Sequence, residues 1–126
     1  MKLLNWKDIP AEQVTPLQTR KVIHTSHSTI VRLVSRKGAV VPLHSHIHEQ
    51  VTLLESGAFR FEVEGEAVVL MPGDVLQIDS ELPHQGEALE NSVTIEVFTP
   101  ARQDWIRESI SKGTIKAEPL QTGKFN

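Results

Sequence analysis

An all-β fold, a sandwich or a barrel, is what this 126-residue sequence predicts. Three observations carry the prediction. Apolar and β-branched residues come in short runs rather than in long stretches of helical period. Turn signals built on glycine and proline separate those runs at close intervals. One segment alone, residues 104–111, reads as helix, with Asp104 near its start and Gly113 just past its end. Many short strands in a small chain suit a closed or two-layered antiparallel architecture, whose interior can gather side chains from separate strands.

Taken in order, residues 28–34 are rich in β-branched residues and end at the charged turn Ser35-Arg36-Lys37-Gly38. Residues 38–43 lead into a cluster of histidines, and residues 51–55 continue beyond it to a turn at Ser56-Gly57. Phe59, Phe61 and Val63 alternate with Arg60, Glu62 and Glu64, the period-two pattern of a strand with one buried face. Glu64-Gly65-Glu66 reads as a hairpin turn into residues 67–71. Pro72-Gly73-Asp74 makes another turn, because proline presets one backbone angle and glycine tolerates a positive one. Residues 75–78 form a further strand, 79–83 a loop, and 93–98 a last strong strand ended by Thr99-Pro100.

Composition narrows the function classes. Thirteen basic and 16 acidic residues leave a net charge of −3, and the basic pairs Arg20-Lys21 and Arg36-Lys37 are isolated, so no nucleic-acid partner is expected. Charged residues appear too early for a secretory apolar region, and no run approaches the ~18 apolar residues of a membrane span. The absence of cysteine excludes disulfides, thiolate ligands and a cysteine nucleophile. The expectation is a soluble, cytoplasmic, single-domain protein over residues 1–126, with no membrane partner.

The chemistry concentrates in His44-Ser45-His46-Ile47-His48-Glu49-Gln50, answered later by Pro83-His84. Neutral imidazole is the commonest protein ligand for transition metals. On an extended strand, residues two apart share a face about 6.6 Å apart along the chain, so His44 and His46 can reach one ion together. A straight strand from His44 to Gln50 would be about 20 Å long, so the chain must bend after His46 if Gln50 or Glu49 is also a ligand. His84 would close the site from a distant segment. His48 shares the parity of His44 and His46 and competes as a ligand, although a supporting or turn position is preferred for it; Glu49 faces away or supports a ligand. A second constellation is Glu96-Val97-Phe98-Thr99-Pro100-Ala101-Arg102-Gln103-Asp104-Trp105. Alternation groups Thr94, Glu96 and Phe98 on one face and Ile95 and Val97 on the other, but leaves open which face is inside.

The spacing Gly38-x₅-His44-x-His46-x₃-Gln50-x₆-Gly57 resembles the first cupin motif, with glutamine where glutamate is usual. Gly65, Pro72-Gly73-Asp74 and Pro83-His84 resemble the second. The resemblance implies a double-stranded β-helix, the cupin jelly-roll barrel, with core motifs over residues 38–98. N-terminal strands would lie within residues 1–35 and a tail over residues 100–126. It further implies one divalent transition metal (nickel, manganese, iron or zinc) held by His44, His46, Gln50 and His84, and a homodimer to which residues 1–25 lend strands. The run from Pro83-His84 to Trp105 is similar to the small KdgF-type cupins of pectin and alginate breakdown, which convert 4,5-unsaturated monouronates to linear keto forms. That likeness implies a small-molecule substrate, catalytic roles for Glu96 and Arg102, and substrate contacts from Phe98 and Arg102. Apart from the likeness, Gln77 and Gln85 are further candidates for polar contacts. Glutamate at 96 stands where those enzymes carry aspartate. A cupin dioxygenase using iron or manganese, and a non-catalytic small-molecule binder, are the alternative readings.

Overall fold

The computed structural model describes residues 1–111, so Gly113 and the tail beyond Ser111 lie outside the described residues. A 3₁₀ turn at Trp6–Asp8 precedes the first strand, with the Asn5 side chain accepting from the Lys7 amide. The strands are β1 (Glu12–Thr15), β2 (Gln18–His24), β3 (Thr29–Ser35), β4 (Val40–His44), β5 (Glu49–Ser56), β6 (Phe59–Val63), β7 (Glu66–Leu70), β8 (Val75–Ile78), β9 (His84–Ala88) and β10 (Ser92–Thr99). Helix α1 (Gln103–Ser111) follows. One sheet has the order β1-β2-β3-β10-β5-β8 and the other β4-β9-β6-β7. All the pairings are antiparallel. This is the expected double-stranded β-helix with one short C-terminal helix.

Alternation builds both inner faces. Thr29, Val31, Leu33 and Ser35 of β3 are buried, as are Gln50, Thr52 and Leu54 of β5, while their neighbours are more exposed. Phe59 and Phe61 of β6 turn inward as their pattern predicts, with ring centroids 5.0 Å apart. They join Ala39, Leu54, Leu70, Ile78 and Ala88 in the main apolar core. Each fully buried large side chain there is worth roughly 1.5–3 kcal/mol of transfer free energy. A smaller cluster of Val31, Leu33 and Phe98, with Val22 and Trp105 against it, joins the large sheet to α1. The Arg102 amide donates to the buried Thr29 hydroxyl at 2.8 Å, which anchors the start of α1 on β3.

The register across the large sheet positions the site. Arg20, Leu33, Thr94 and Leu54 lie opposite one another on successive strands. The next row is Val22, Val31, Glu96 and Thr52, and the one after it is His24, Thr29, Phe98 and Gln50. Residues directly opposite in an antiparallel sheet project to the same face. The inner face of this sheet is therefore half polar, and the interior beside it is a cavity rather than a filled core. Strand β9 has no apolar signature: its inward residues are His84, Gly86 and Ala88, which is why 84–88 does not read as a strand from sequence. Residues 12–24 add β1 and β2 to this chain's own sheet through β3.

Candidate metal centre

His44 ends β4 and His84 begins β9, and the two are paired across the small sheet with ring centroids 4.3 Å apart. His46 follows in the irregular segment between β4 and β5, with its ring 4.9 Å from that of His84. The chain breaks from extended structure at 45–48 and re-enters the large sheet at Glu49, the bend that a shared site for His44, His46 and Gln50 requires. One ligand atom from each of His44, His46 and His84 lies within 4.8 Å of the others.

Backbone carbonyls set the chemistry of these rings. His44 Nδ1 lies 2.8 Å from the Pro42 carbonyl, His46 Nδ1 3.0 Å from that of His48, and His84 Nδ1 2.8 Å from that of Leu82. A carbonyl oxygen only accepts, so each Nδ1 carries the proton and each Nε2 presents a lone pair. Burial holds His46 and His84 below the ordinary imidazole value, which keeps these lone pairs free near neutral pH. His84 Nε2 is buried with no hydrogen-bond partner among the described residues. His46 Nε2 faces the Gln50 side-chain oxygen at 3.2 Å, which sets two acceptors against each other. Both features call for a cation. Three imidazole nitrogens and one amide oxygen fit a divalent transition metal, and softness alone does not select which.

The Gln50 amide is oriented by its other end. Its nitrogen donates to Thr52 Oγ1 at 2.9 Å and to Glu96 Oε2 at 3.0 Å, leaving the oxygen toward His46. A glutamate at 50 would set a second carboxylate against Glu96, so the glutamine that departs from the usual motif has a local reason. Glu96 faces the interior. Burial pushes its carboxyl up to about 7, against the opposing influence of the Thr52 hydroxyl, Arg102 and Arg20.

Phe98 lies edge-on to His46 at 5.6 Å and to Trp105 at 5.3 Å. The Arg102 guanidinium carbon is 4.7 Å from the Phe98 centroid and 3.9 Å from that of Trp105. Arg102 Nε and Nη2 donate to the two Asp104 oxygens at 3.1 and 2.8 Å, so one edge of the guanidinium is already occupied. Burial pushes the Asp104 carboxyl up, but the bonds and charge of Arg102 outweigh it and hold the group below its ordinary value. Glu96, Phe98, Arg102, His44, Gln50 and His84 all line one cavity of about 200 Å³. That is smaller than the ~300–1,000 Å³ of drug-sized pockets and suits a single sugar ring better than a polymer.

His48 is buried, lies outside the three-histidine group, packs 5.3 Å from the His46 ring and is hydrogen-bonded to the Ala101 backbone. It therefore holds the bend. Glu49 is exposed and accepts from Gln77, which also donates to Asp79, while Gln85 donates to Glu62; neither glutamine lines the cavity. Sequence reasoning passed over Arg20, Thr94 and Trp105, which do line it. The alternation Gln18-x-Arg20-x-Val22-x-His24 was the available signal for Arg20.

A family model described as "Cupin domain" matches residues 31–99. The pectin degradation protein KdgF of Dickeya dadantii is 31% identical over 102 residues, covering 79% of this chain and 93% of that protein. The structure of KdgF from Halomonas sp. superposes with a TM-score of 0.79 at 32% identity, covering 83% of this chain and 98% of that one. An RmlC-like cupin from Shewanella frigidimarina, at 24% identity, gives a TM-score of 0.78 over 83% of this chain and 96% of its own, a likeness of fold.

Proposed function

The chain belongs to the cupin-domain family and groups within it with the KdgF proteins, and from that premise we propose that it is a metal-dependent enzyme converting 4,5-unsaturated monouronates to their linear keto forms. The observation that carries the reading is the hydrogen bond from Gln50 to Glu96. It holds the Glu96 carboxyl beside Gln50 and near the three-histidine cluster, in a cavity the size of one sugar ring, which supports an acid/base role for it.

His44, His46, Gln50 and His84 would hold the ion, which when bound supplies Lewis acidity toward substrate oxygens. The reaction is a net isomerisation. The anomeric hydroxyl loses its proton, the bond from the anomeric carbon to the ring oxygen breaks, and the ring oxygen becomes an enol hydroxyl. That enol then gives its proton up while carbon 4 gains one, leaving a ketone. Glu96 moves these protons, since its carboxyl is enclosed and can carry or release a proton near neutral pH. Phe98 walls the cavity and helps exclude water. Arg102, stacked on Phe98 and Trp105, keeps the Nη side of its guanidinium for substrate oxygens. Two copies are proposed to associate as a homodimer. Val14 on β1 and Val40 and Leu43 on β4, exposed apolar side chains on strands that are outermost in the two sheets of the described residues, support that association. A single-chain mass in analytical ultracentrifugation would remove it.

Protein purified without chelator should consume the unsaturated galacturonate or mannuronate monomer, seen as loss of the conjugated double bond's ultraviolet absorbance. Glu96→Gln keeps the shape but removes proton transfer, and should lower kcat by roughly 10²–10⁴-fold with metal content unchanged. If metal-loaded wild type leaves both monomers intact, the proposal fails.

A further inference from the structure

Arg20 belongs to the cavity by position as well as by surface. It lies in the same register row as Leu33 and Thr94, next to the row that carries Glu96, and it lines the cavity that holds Glu96 and Gln50. Its guanidinium carbon sits 4.2 Å from the centroid of the Trp105 ring, the ring that also carries Arg102 at 3.9 Å. Its Nε donates to Glu12 on β1, whose side chain is 46% exposed, so among the described residues the terminal Nη groups remain available to a ligand. Arg102 is more heavily committed, with both Nε and Nη2 on Asp104. In the same row as Arg20, with Leu33 between them, the Thr94 hydroxyl is buried and has no hydrogen-bond partner among the described residues, although Thr94 lines the cavity. A buried hydroxyl left unpaired costs free energy unless a ligand or water meets it.

Resting on the uronate reading, we infer that Arg20 is a specificity-determining residue whose terminal nitrogens bind the carboxylate of an acidic sugar, with the Thr94 hydroxyl meeting a hydroxyl of the same ring. A planar guanidinium edge matches a carboxylate with two parallel hydrogen bonds. The indole and Glu12 hold that edge in place before the ligand arrives, which lowers the entropy lost on binding. A purely structural Arg20, propping Trp105, would affect charged and uncharged ligands alike.

The test is calorimetric titration of protein purified without chelator with galacturonate and with galacturonamide, which keeps the shape and removes the charge. Wild type should prefer the acid by at least about tenfold. Arg20→Gln should abolish that preference while keeping its affinity for the amide. Arg20→Lys, which retains the charge and the stem over Trp105, should keep an intermediate preference. An unchanged preference in Arg20→Gln overturns the inference. So does an equal loss of both ligands, or a wild type that does not distinguish them. The outcome is separable from the reaction. A wild type that discriminates through Arg20 yet leaves unsaturated monomers intact would sink the reaction and keep the inference. Turnover with an unaltered KM and preference in Arg20→Gln would do the reverse.

Discussion

Each of the three converging histidines spends Nδ1 on a backbone carbonyl within two residues of itself, so the local chain selects the tautomer that leaves Nε2 for a ligand. His84 is the ring of the three contributed from outside 44–50, and its Nε2 has nothing else to bind among the described residues. His84→Ala should therefore lower metal affinity by at least tenfold, measured as metal per chain after dialysis against a weak chelator. His48→Ala should keep most of its metal, because that ring packs on His46 and Phe98. Full metal in the first variant, or none in the second, would show the donors to be wrongly assigned. The grouping of His44, His46 and His84 was legible in the sequence, since imidazole pairs and a Pro-His turn are local patterns, whereas Gln50 stood out from Glu49 only through the resemblance to the cupin motif. The facing of Glu96 was not. Alternation places it with Thr94 and Phe98 whichever way the strand turns, and only pairing with β3 and β5 chooses the inside.

Among the elements, β10 shows why. It lies between β3 and β5 in the middle of the large sheet, although 35 residues of chain separate the end of β5 from its start. Its inner residues are Ser92, Thr94, Glu96 and Phe98, a polar face that serves a cavity and carries little apolar signal. The same holds for β9, whose inner Gly86 would place a Cβ 2.7 Å from the Phe59 ring. The turn between β5 and β6 is the tightest point of this packing. Gly57 has φ +92°, and a Cβ there would fall 2.2 Å from the Asn91 carbonyl oxygen. Gly57→Ala should lose roughly 2 kcal/mol or more, from backbone strain together with displacement of the β10 start. Urea denaturation giving a loss below half that figure would mean the turn can shift away.

For the molecule as a whole, acid stability should carry the signature of β2. His24 ends that strand, bonds the Thr29 hydroxyl at 2.8 Å, and is held near 4, chiefly by burial and then by Arg20. Arg102 acts in the same direction, while Glu12 and Asp104 oppose it. Because the folded value lies below the unfolded one, the unfolded chain binds the extra proton as pH falls from about 6.5 to 4. Folded His24 therefore costs stability progressively across that window and nothing further above it. The stability gap between wild type and His24→Gln should shift against the wild type as pH drops from 7 to 4.5, read from urea midpoints. A gap that stays constant would place His24 in contact with solvent.

The sequence by itself determined what is local: the strand periods, the glycine and proline turns, the histidines at 44, 46 and 84 as candidates for one cluster, and the helix that begins near Asp104. Those features are legible because spacing along a chain fixes geometry over a few residues. Only the tertiary structure decided what depends on register between distant strands. It turned Glu96 inward beside Gln50, brought Arg20 and Thr94 into one row, and committed one edge of Arg102 to Asp104. A polar side chain carries no sign of which face it will occupy. That is settled when the sheets close and every buried donor and acceptor must find a partner.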